Sequence, residues 1–227
     1  MSDAIRVGLI GYGYASKTFH APLIGGTPGM ALTRVSSSEA GKVHADWPGV
    51  RVVSAAKDLL NDPDIDLVVI ATPNDTHFPL VKAALEAGKH VVVDKPFTVT
   101  LSQARELESL AKHCGRVLSV FHNRRWDSDF LTVRALINEG QLGEVCYFES
   151  HFDRFRPQVR QRWREQGGPG SGIWYDLGPH LLDQAVVLFG LPVSITVDLA
   201  QLRPGAQSTD YFHAVLAYPQ RRVVLHG

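Results

Sequence analysis

Lys95 stands just past a β-branched run, in Val91-Val92-Val93-Asp94-Lys95-Pro96, and proline pins the turn behind it. Ligands of open α/β sheets bind beyond the carboxyl ends of the strands, so a lysine there is a candidate catalytic residue. A second chemical element spans Gly172 to Asp183. Asp176 and His180 are four residues apart, hence stacked on one helical face, and Asp183 lies near that face. Histidine accepts and returns a proton near neutrality most easily of all side chains. Ile173, Leu177 and Leu181 form a separate apolar line, and the glycine-rich lead-in lets the helix start approach a ligand closely. The plain alternatives are an exposed loop lysine and an ordinary surface Asp–His pair. Asp176, His180 and Asp183 could ligate a metal, but no third cluster supports one and none is assigned.

A third element binds anions. Ile5–Ile10 runs into Gly11-Tyr12-Gly13-Tyr14-Ala15-Ser16, and a helical pattern follows. Gly11 permits the tight turn of a dinucleotide loop, and Gly13 lets the backbone approach a pyrophosphate. The helix N-terminus then offers free N–H groups. Ser16 takes the place of the third glycine. The stretch Gly11–Thr18 is also one residue away from a phosphate loop of the Walker A kind, but Ser16 stands where that loop needs glycine before its lysine. A carboxylate after the second strand would hold the ribose of NAD. Here Ser36, Ser37 and Ser38 follow Val35, with Arg34 and Lys42 near in sequence and Glu39 as the one acid. Serines can hydrogen-bond a 2′-phosphate without repelling it, so NADP is expected, with NAD second. Ser38 also suits the cap of the next helix.

These residues must be positioned by strands and helices. Apolar or β-branched runs mark strands at Ile5–Ile10, Ala31–Ser36, Val50–Val53, Leu67–Ala71, His90–Val93 and Val117–Phe121. Near-continuous runs suit strands buried on both faces of a parallel sheet. Helical patterns fill the gaps. Thr100 and Gln103 form a capping box, followed by a stripe of Leu101, Ala104, Leu107, Ala111 and Cys114. An α/β Rossmann domain is expected over 1–122. Over 123–227 the pattern changes to an α+β domain. It has helices near Ser128–Glu139 and up to Phe189, and strands near Val145–Arg154, Val193–Leu202, Tyr211–Tyr218 and Val223–His226. An open antiparallel sheet is expected there. The strand pattern runs to the last residues, as in a piece of a longer chain. Arg154, Arg156, Arg160, Arg162 and Arg164 face only Asp153 and Glu165 in their stretch. Such a run reads as a solvated face with local ion pairs rather than an anion site.

The 227 residues carry 23 Lys plus Arg against 23 Asp plus Glu, with 44% hydrophobic and 20% charged residues. That balance excludes intrinsic disorder and gives nucleic-acid binding no support. No apolar stretch approaches the roughly 20 residues of a membrane span. The first ten residues lack the pattern of a signal peptide. With only Cys114 and Cys146 there is no disulfide framework, so a reducing, cytoplasmic setting is expected.

Five segments together resemble the Gfo/Idh/MocA oxidoreductases, and the run Phe121–Phe130 with Phe148–Gly172 resembles above all their NADP-preferring scyllo-inositol dehydrogenases. The five are Gly8–Ala15, Ala71-Thr-Pro-Asn-Asp-Thr-His77, Asp94-Lys95-Pro96, Asn123-Arg124-Arg125-Trp126 and Asp176 with His180. The family pattern has glutamate where Asp94 stands, one methylene longer. The resemblance implies a Rossmann domain followed by a domain on a large open antiparallel sheet, through which the protein forms a homodimer or homotetramer. It implies catalysis by Lys95, Asp176 and His180. It implies cofactor contacts from Thr72, Pro73, Asn74, His77 and Lys95, from Asn123 and Arg124 near the nicotinamide, and from Trp163 over it. His77 could otherwise face solvent in the first turn of its helix. The implied activity is hydride transfer between a secondary alcohol of a sugar or polyol and the nicotinamide, and a neutral inositol fits best. Rival functions are a dinucleotide sensor without turnover, and a relative that keeps its cofactor and cleaves glycosides.

Overall fold

The computed structural model describes residues 4–227. Its contacts divide the chain into two units that meet between Phe121 and His122.

The first unit begins with β1 (Ile5–Ile10), whose last four residues are buried. A π-helical turn, Ser16–His20, then runs into α1 (Ala21–Gly26). Next come β2 (Met30–Ser36), α2 (Ala40–Asp46), β3 (Arg51–Val53), α3 (Ala56–Leu60) and β4 (Leu67–Ile70). A short 3-10 turn leads to α4 (His77–Glu86), followed by β5 (His90–Asp94), α5 (Leu101–Cys114) and β6 (Leu118–Phe121). All six strands pair in parallel, in the order β3-β2-β1-β4-β5-β6. The order reverses between β1 and β4, so the loops leaving those two strands flank the crevice where open α/β sheets take ligands. Two apolar clusters fill the two faces. One packs Leu59, Val81, Leu85 and Leu107 on β4 and β5. The other packs Ala21, Val35 and Val43 around β1. Thr100 caps α5 by accepting from the Gln103 N–H, and Gly115 ends that helix in the left-handed region.

Arg6 clamps the start of β1 to Asp66. Its backbone N–H and its Nε both donate to Asp66 Oδ2, at 2.8 and 3.0 Å. The guanidinium and then the backbone N–H hold the Asp66 carboxyl well below its usual value, at about 2. A carboxyl depressed in the native state stabilises the fold above its unfolded pKa of 3.8, and that stability is lost as pH falls toward about 2. Asp66→Asn is therefore expected to melt below the wild type at neutral pH. The gap should close between about pH 4 and pH 2. A gap in melting temperature that does not depend on pH would contradict the clamp.

The second unit opens with a 3-10 turn, Asn123–Trp126, then α6 (Ser128–Asn138) and β7 (Tyr147–His151). After α7 (Ile173–Phe189) come β8 (Ser194–Ala200), β9 (Tyr211–Tyr218) and β10 (Arg221–His226). On β9 every second residue is buried, the period of a strand with one covered face. Phe212, Leu216, Val223 and Leu225 of that face pack against Leu177, Leu181 and Ala185 of α7. The sheet order is β7-β10-β9-β8. The sheet is mostly antiparallel, as expected, with β10 paired to β9 and β9 to β8 in that sense, while β10 pairs with β7 in parallel. That pairing joins strands some 70 residues apart, and no local signal in the sequence sets its direction. Among the described residues no helix is long and apolar enough to cross a membrane. Both cysteines are free thiols.

Candidate active site

In the first unit the loops after β1, β4 and β5 leave three neighbouring parallel strands at one edge. Gly11 takes φ of +88°, and a Cβ there would meet the Ala71 carbonyl oxygen at 2.7 Å. Only glycine fits a turn of that kind. The Gly11 N–H donates to the Ser36 carbonyl at 3.0 Å, tying the loop to the end of β2. Ser16 is fully buried and donates its hydroxyl to the Gly11 carbonyl at 2.8 Å, so it does more than substitute for a small packing residue. Gly13 is exposed, and a Cβ built on it would find no atom within 4 Å. The protein's own packing therefore does not require glycine at 13.

The Tyr12 hydroxyl donates to Asp46 at 3.0 Å, and Lys17 Nζ reaches the same carboxylate. Burial and then Asp46 push the Tyr12 phenol up to about 12. Tyr14 is 78% exposed and Ala15 half-buried. At the end of β2, Ser36 is buried, Ser37 half-buried and Ser38 exposed. Ser37 rather than Ser38 makes the turn contact, since its Oγ accepts the Glu39 N–H at 3.1 Å. Arg34 points elsewhere than expected. Its Nε donates to Asp62 at 2.9 Å, so its charge is spent on a carboxylate inside the unit. Lys42 pairs with Glu39 at 2.7 Å on the surface.

His77 is completely buried, not turned to solvent. Its Nδ1 lies 2.8 Å from the Pro96 carbonyl oxygen and its Nε2 lies 3.0 Å from that of Thr72. The ring thus bridges the loop after β4 to the turn that carries Lys95. Thr72 and Thr76 join by their hydroxyls at 2.6 Å, Thr76 donates to the Pro73 carbonyl, and Asn74 is buried beneath. Asp94 Oδ1 accepts the Lys95 backbone N–H at 2.8 Å. His20, buried and stacked on Phe121, brings Nε2 to 3.8 Å from Asp94 Oδ2. Burial pushes the Asp94 carboxyl up, but His20 and Lys95 outweigh it and hold it below the usual range. Lys95 itself is half-buried, and its bond to Pro96 is cis. Nothing in the sequence singled out His20, because its partner lies in a distant strand.

In the second unit Asp176 and His180 stand one turn apart in the first half of α7, with Gly172 preceding the helix. His180 is buried at 7% exposure, whereas Asp176 keeps a partly open carboxylate. Asp183 grips Arg125 through two bonds of 2.7 and 2.6 Å, which gives it a structural role. Gln184 Nε2 donates to the Arg124 carbonyl, so α7 holds the segment of Asn123 and Arg124 in place. Arg124 pairs with Asp127 at 2.7 Å and lies over the Phe152 ring. Trp163 carries the Arg164 guanidinium 4.4 Å from its ring centre. In the arginine-rich segment Arg154 and Arg160 are exposed, and Arg162 pairs locally with Glu165 at 2.7 Å. Arg154, Arg156, Arg162 and Arg164 line a cavity of about 280 Å³ with Asp176 in its wall. A separate trio, His151, Asp153 and His226, brings three potential ligand atoms within 4.8 Å of one another.

Comparison with known proteins bears on both units. Residues 5–122 match the model of an oxidoreductase family with an NAD-binding Rossmann fold, and 134–226 match the C-terminal alpha/beta domain of the same Gfo/Idh/MocA family. The chain is 82% identical over its whole length to the oxidoreductase YdgJ of Escherichia coli K12, covering 66% of that protein. It is 40% identical over 99% of its length to scyllo-inositol 2-dehydrogenase (NADP(+)) IolW of Bacillus subtilis 168, covering 63% of it. It superposes on the structure of Bacillus subtilis yvaA with a TM-score of 0.97 at 40% identity, over all of this chain and 65% of that one. The chain thus spans about two thirds of the length of these relatives.

Proposed function

The chain belongs to the Gfo/Idh/MocA family of oxidoreductases, and on that premise we propose that the protein is an NADP-dependent dehydrogenase acting on CH–OH groups of a sugar or an inositol-like polyol. The observation that carries this reading is the glycine turn after β1, where Gly11 at φ +88° is tied to the end of β2, beside the anchored loops after β4 and β5. The first unit binds the dinucleotide and the second the substrate. Backbone N–H groups of the Gly11–Ala15 loop hold the pyrophosphate, and Ser36, Ser37 and Ser38 receive the adenosine ribose and its 2′-phosphate. Thr72, Pro73 and Asn74 border the dinucleotide, and His77 fixes that loop from beneath. Asn123, Arg124 and Trp163 serve the nicotinamide end. The NADP preference is supported by the absence of an acid at 36–38 and by the name of the IolW relative.

The bound nicotinamide supplies the hydride chemistry. His180 takes the hydroxyl proton as hydride leaves the same carbon, and returns it in the reverse reaction. Lys95 donates a hydrogen bond to that oxygen and stabilises the negative charge that develops on it. Asp176 binds a neighbouring hydroxyl and orients His180. General acid–base catalysis of this kind contributes roughly 10²–10⁴-fold. A cytoplasmic homodimer or homotetramer is the assembly we propose. Ile195, Val197 and Leu199, exposed on the edge strand β8, support association through that sheet.

The test is to mix the protein with NADP⁺ or NAD⁺ and scyllo-inositol, myo-inositol or glucose, and to follow nicotinamide reduction by absorbance. Reduction of NADP⁺ with at least one polyol, faster than that of NAD⁺, is expected. Absence of reduction throughout would favour a sensor without turnover.

A further inference from the structure

We propose that the cavity beside Asp176 binds an anionic group, so that a polyol bearing a carboxylate or phosphate is preferred over a neutral one. This rests on the dehydrogenase reading above, because it makes Asp176 the point where a substrate hydroxyl and the anion site meet. The wall holds five arginines, Arg154, Arg156, Arg162, Arg164 and Arg203, against three carboxylates, Glu165, Asp176 and Asp210, a surplus of two positive charges.

The surplus is localised. Arg203 is satisfied within the fold, with Nε 2.8 Å from Asp210 and Nη1 3.2 Å from Glu165, both carboxylates almost fully buried. Arg162 donates to Glu165 at 2.7 Å. Arg164 stacks on Trp163, and its Nε lies 3.5 Å from Asp176, a long contact that leaves most of its donors unspent. Among the described residues Arg154 and Arg156 make no ion pair with a carboxylate. Arg154 lies over the Phe152 ring at 4.9 Å, and Arg156 is half-buried.

Packing guanidinium groups together without counterions costs free energy, and an anion among them recovers it. The crowding registers on Arg156, whose guanidinium is pushed down by burial and then by Arg154, Arg160 and Arg162. The planar fork of arginine matches carboxylate and phosphate oxygens in pairs. A cavity of about 280 Å³ is small for a ligand site but has room for a six-carbon ring and one such group. The amino end of the 17-residue α7 adds positive potential on the same side, since Gly172 and Ile173 line the cavity.

The experiment is calorimetric titration of the NADP⁺-saturated protein with glucuronate, myo-inositol 1-phosphate and uncharged myo-inositol, for the wild type and Arg156→Gln. We expect an anionic probe to bind at least about 10-fold more tightly than myo-inositol, and Arg156→Gln to weaken it about 10–100-fold, the usual loss for a hydrogen bond to a charged group. The variant should bind myo-inositol and NADP⁺ as the wild type does. Whichever of the two anions binds names the group. Equal or tighter binding of the uncharged polyol, or an anion affinity that Arg156→Gln and Arg154→Gln both leave intact, would overturn the proposal. If NADP⁺ binds and no anionic probe does, this inference alone fails. If NADP⁺ does not bind the wild type, the dehydrogenase reading fails with it. Far-UV circular dichroism confirms folding, and Arg154→Gln serves in place of Arg156→Gln if that variant unfolds.

Discussion

Lys95→Ala is expected to lower kcat by about 10²–10³-fold, the loss typical of one preorganised donor to a developing negative charge. NADP⁺ affinity should hardly change. The structure says why the two effects separate. The turn at Asp94–Pro96 is held by backbone groups, since Asp94 accepts the Lys95 N–H and His77 bridges to the Pro96 carbonyl. Neither contact uses the Lys95 side chain. Stopped-flow turnover beside a cofactor titration measures both quantities on one preparation. If the variant loses NADP⁺ instead, Lys95 is a phosphate ligand and the assigned mechanism is wrong.

Gly13→Val should weaken NADP⁺ about 10–100-fold, the equivalent of the 1–3 kcal/mol that overpacking costs, and leave the melting temperature almost unchanged. The expectation follows from the empty surroundings of a Cβ at 13 and from a backbone outside the left-handed region. The added Cβ meets no atom of the chain, so a bound dinucleotide is the expected obstacle. Gly11→Ala is the contrast. There φ is +88° and the Ala71 oxygen stands 2.7 Å from the added carbon. Backbone strain of this kind costs on the order of 1–3 kcal/mol, so that variant should lose stability as well as cofactor. Thermal melts and NADP⁺ titrations of both variants separate the cases. Undiminished NADP⁺ binding by Gly13→Val would remove the pyrophosphate from this loop.

Much of this architecture is legible in the residues. β1, β4 and β5 are buried by helices on both faces, so their apolar runs are almost unbroken and stand out. The Thr100–Gln103 box marks the start of α5 because the cap is a local contact, made within one turn. β9 appears with its full length for the same reason, since alternation is written into consecutive residues.

Features that depend on distant partners stay hidden. The parallel pairing of β10 with β7 is such a feature, as is the pull of His20 on Asp94. Burial of His77 depends on two carbonyls from separate loops, which the start of its helix does not reveal. Arg34 is held by Asp62, 28 residues on, a partner that no local pattern around the serines indicates. The arginine segment read as a surface run because its charges are local in sequence. Its cavity is closed by Leu202, Arg203 and Thr209, which no spacing rule connects to it.

The central claim is that this chain holds NADP through the loop after β1 and the serines after β2. Calorimetric titration of the purified protein with NADP⁺ and with NAD⁺ tests it most directly. Saturable binding of NADP⁺, one per chain and clearly tighter than that of NAD⁺, is expected. Tighter binding of NAD⁺ would contradict the role given to Ser36–Ser38, and binding of neither would contradict the nucleotide site itself.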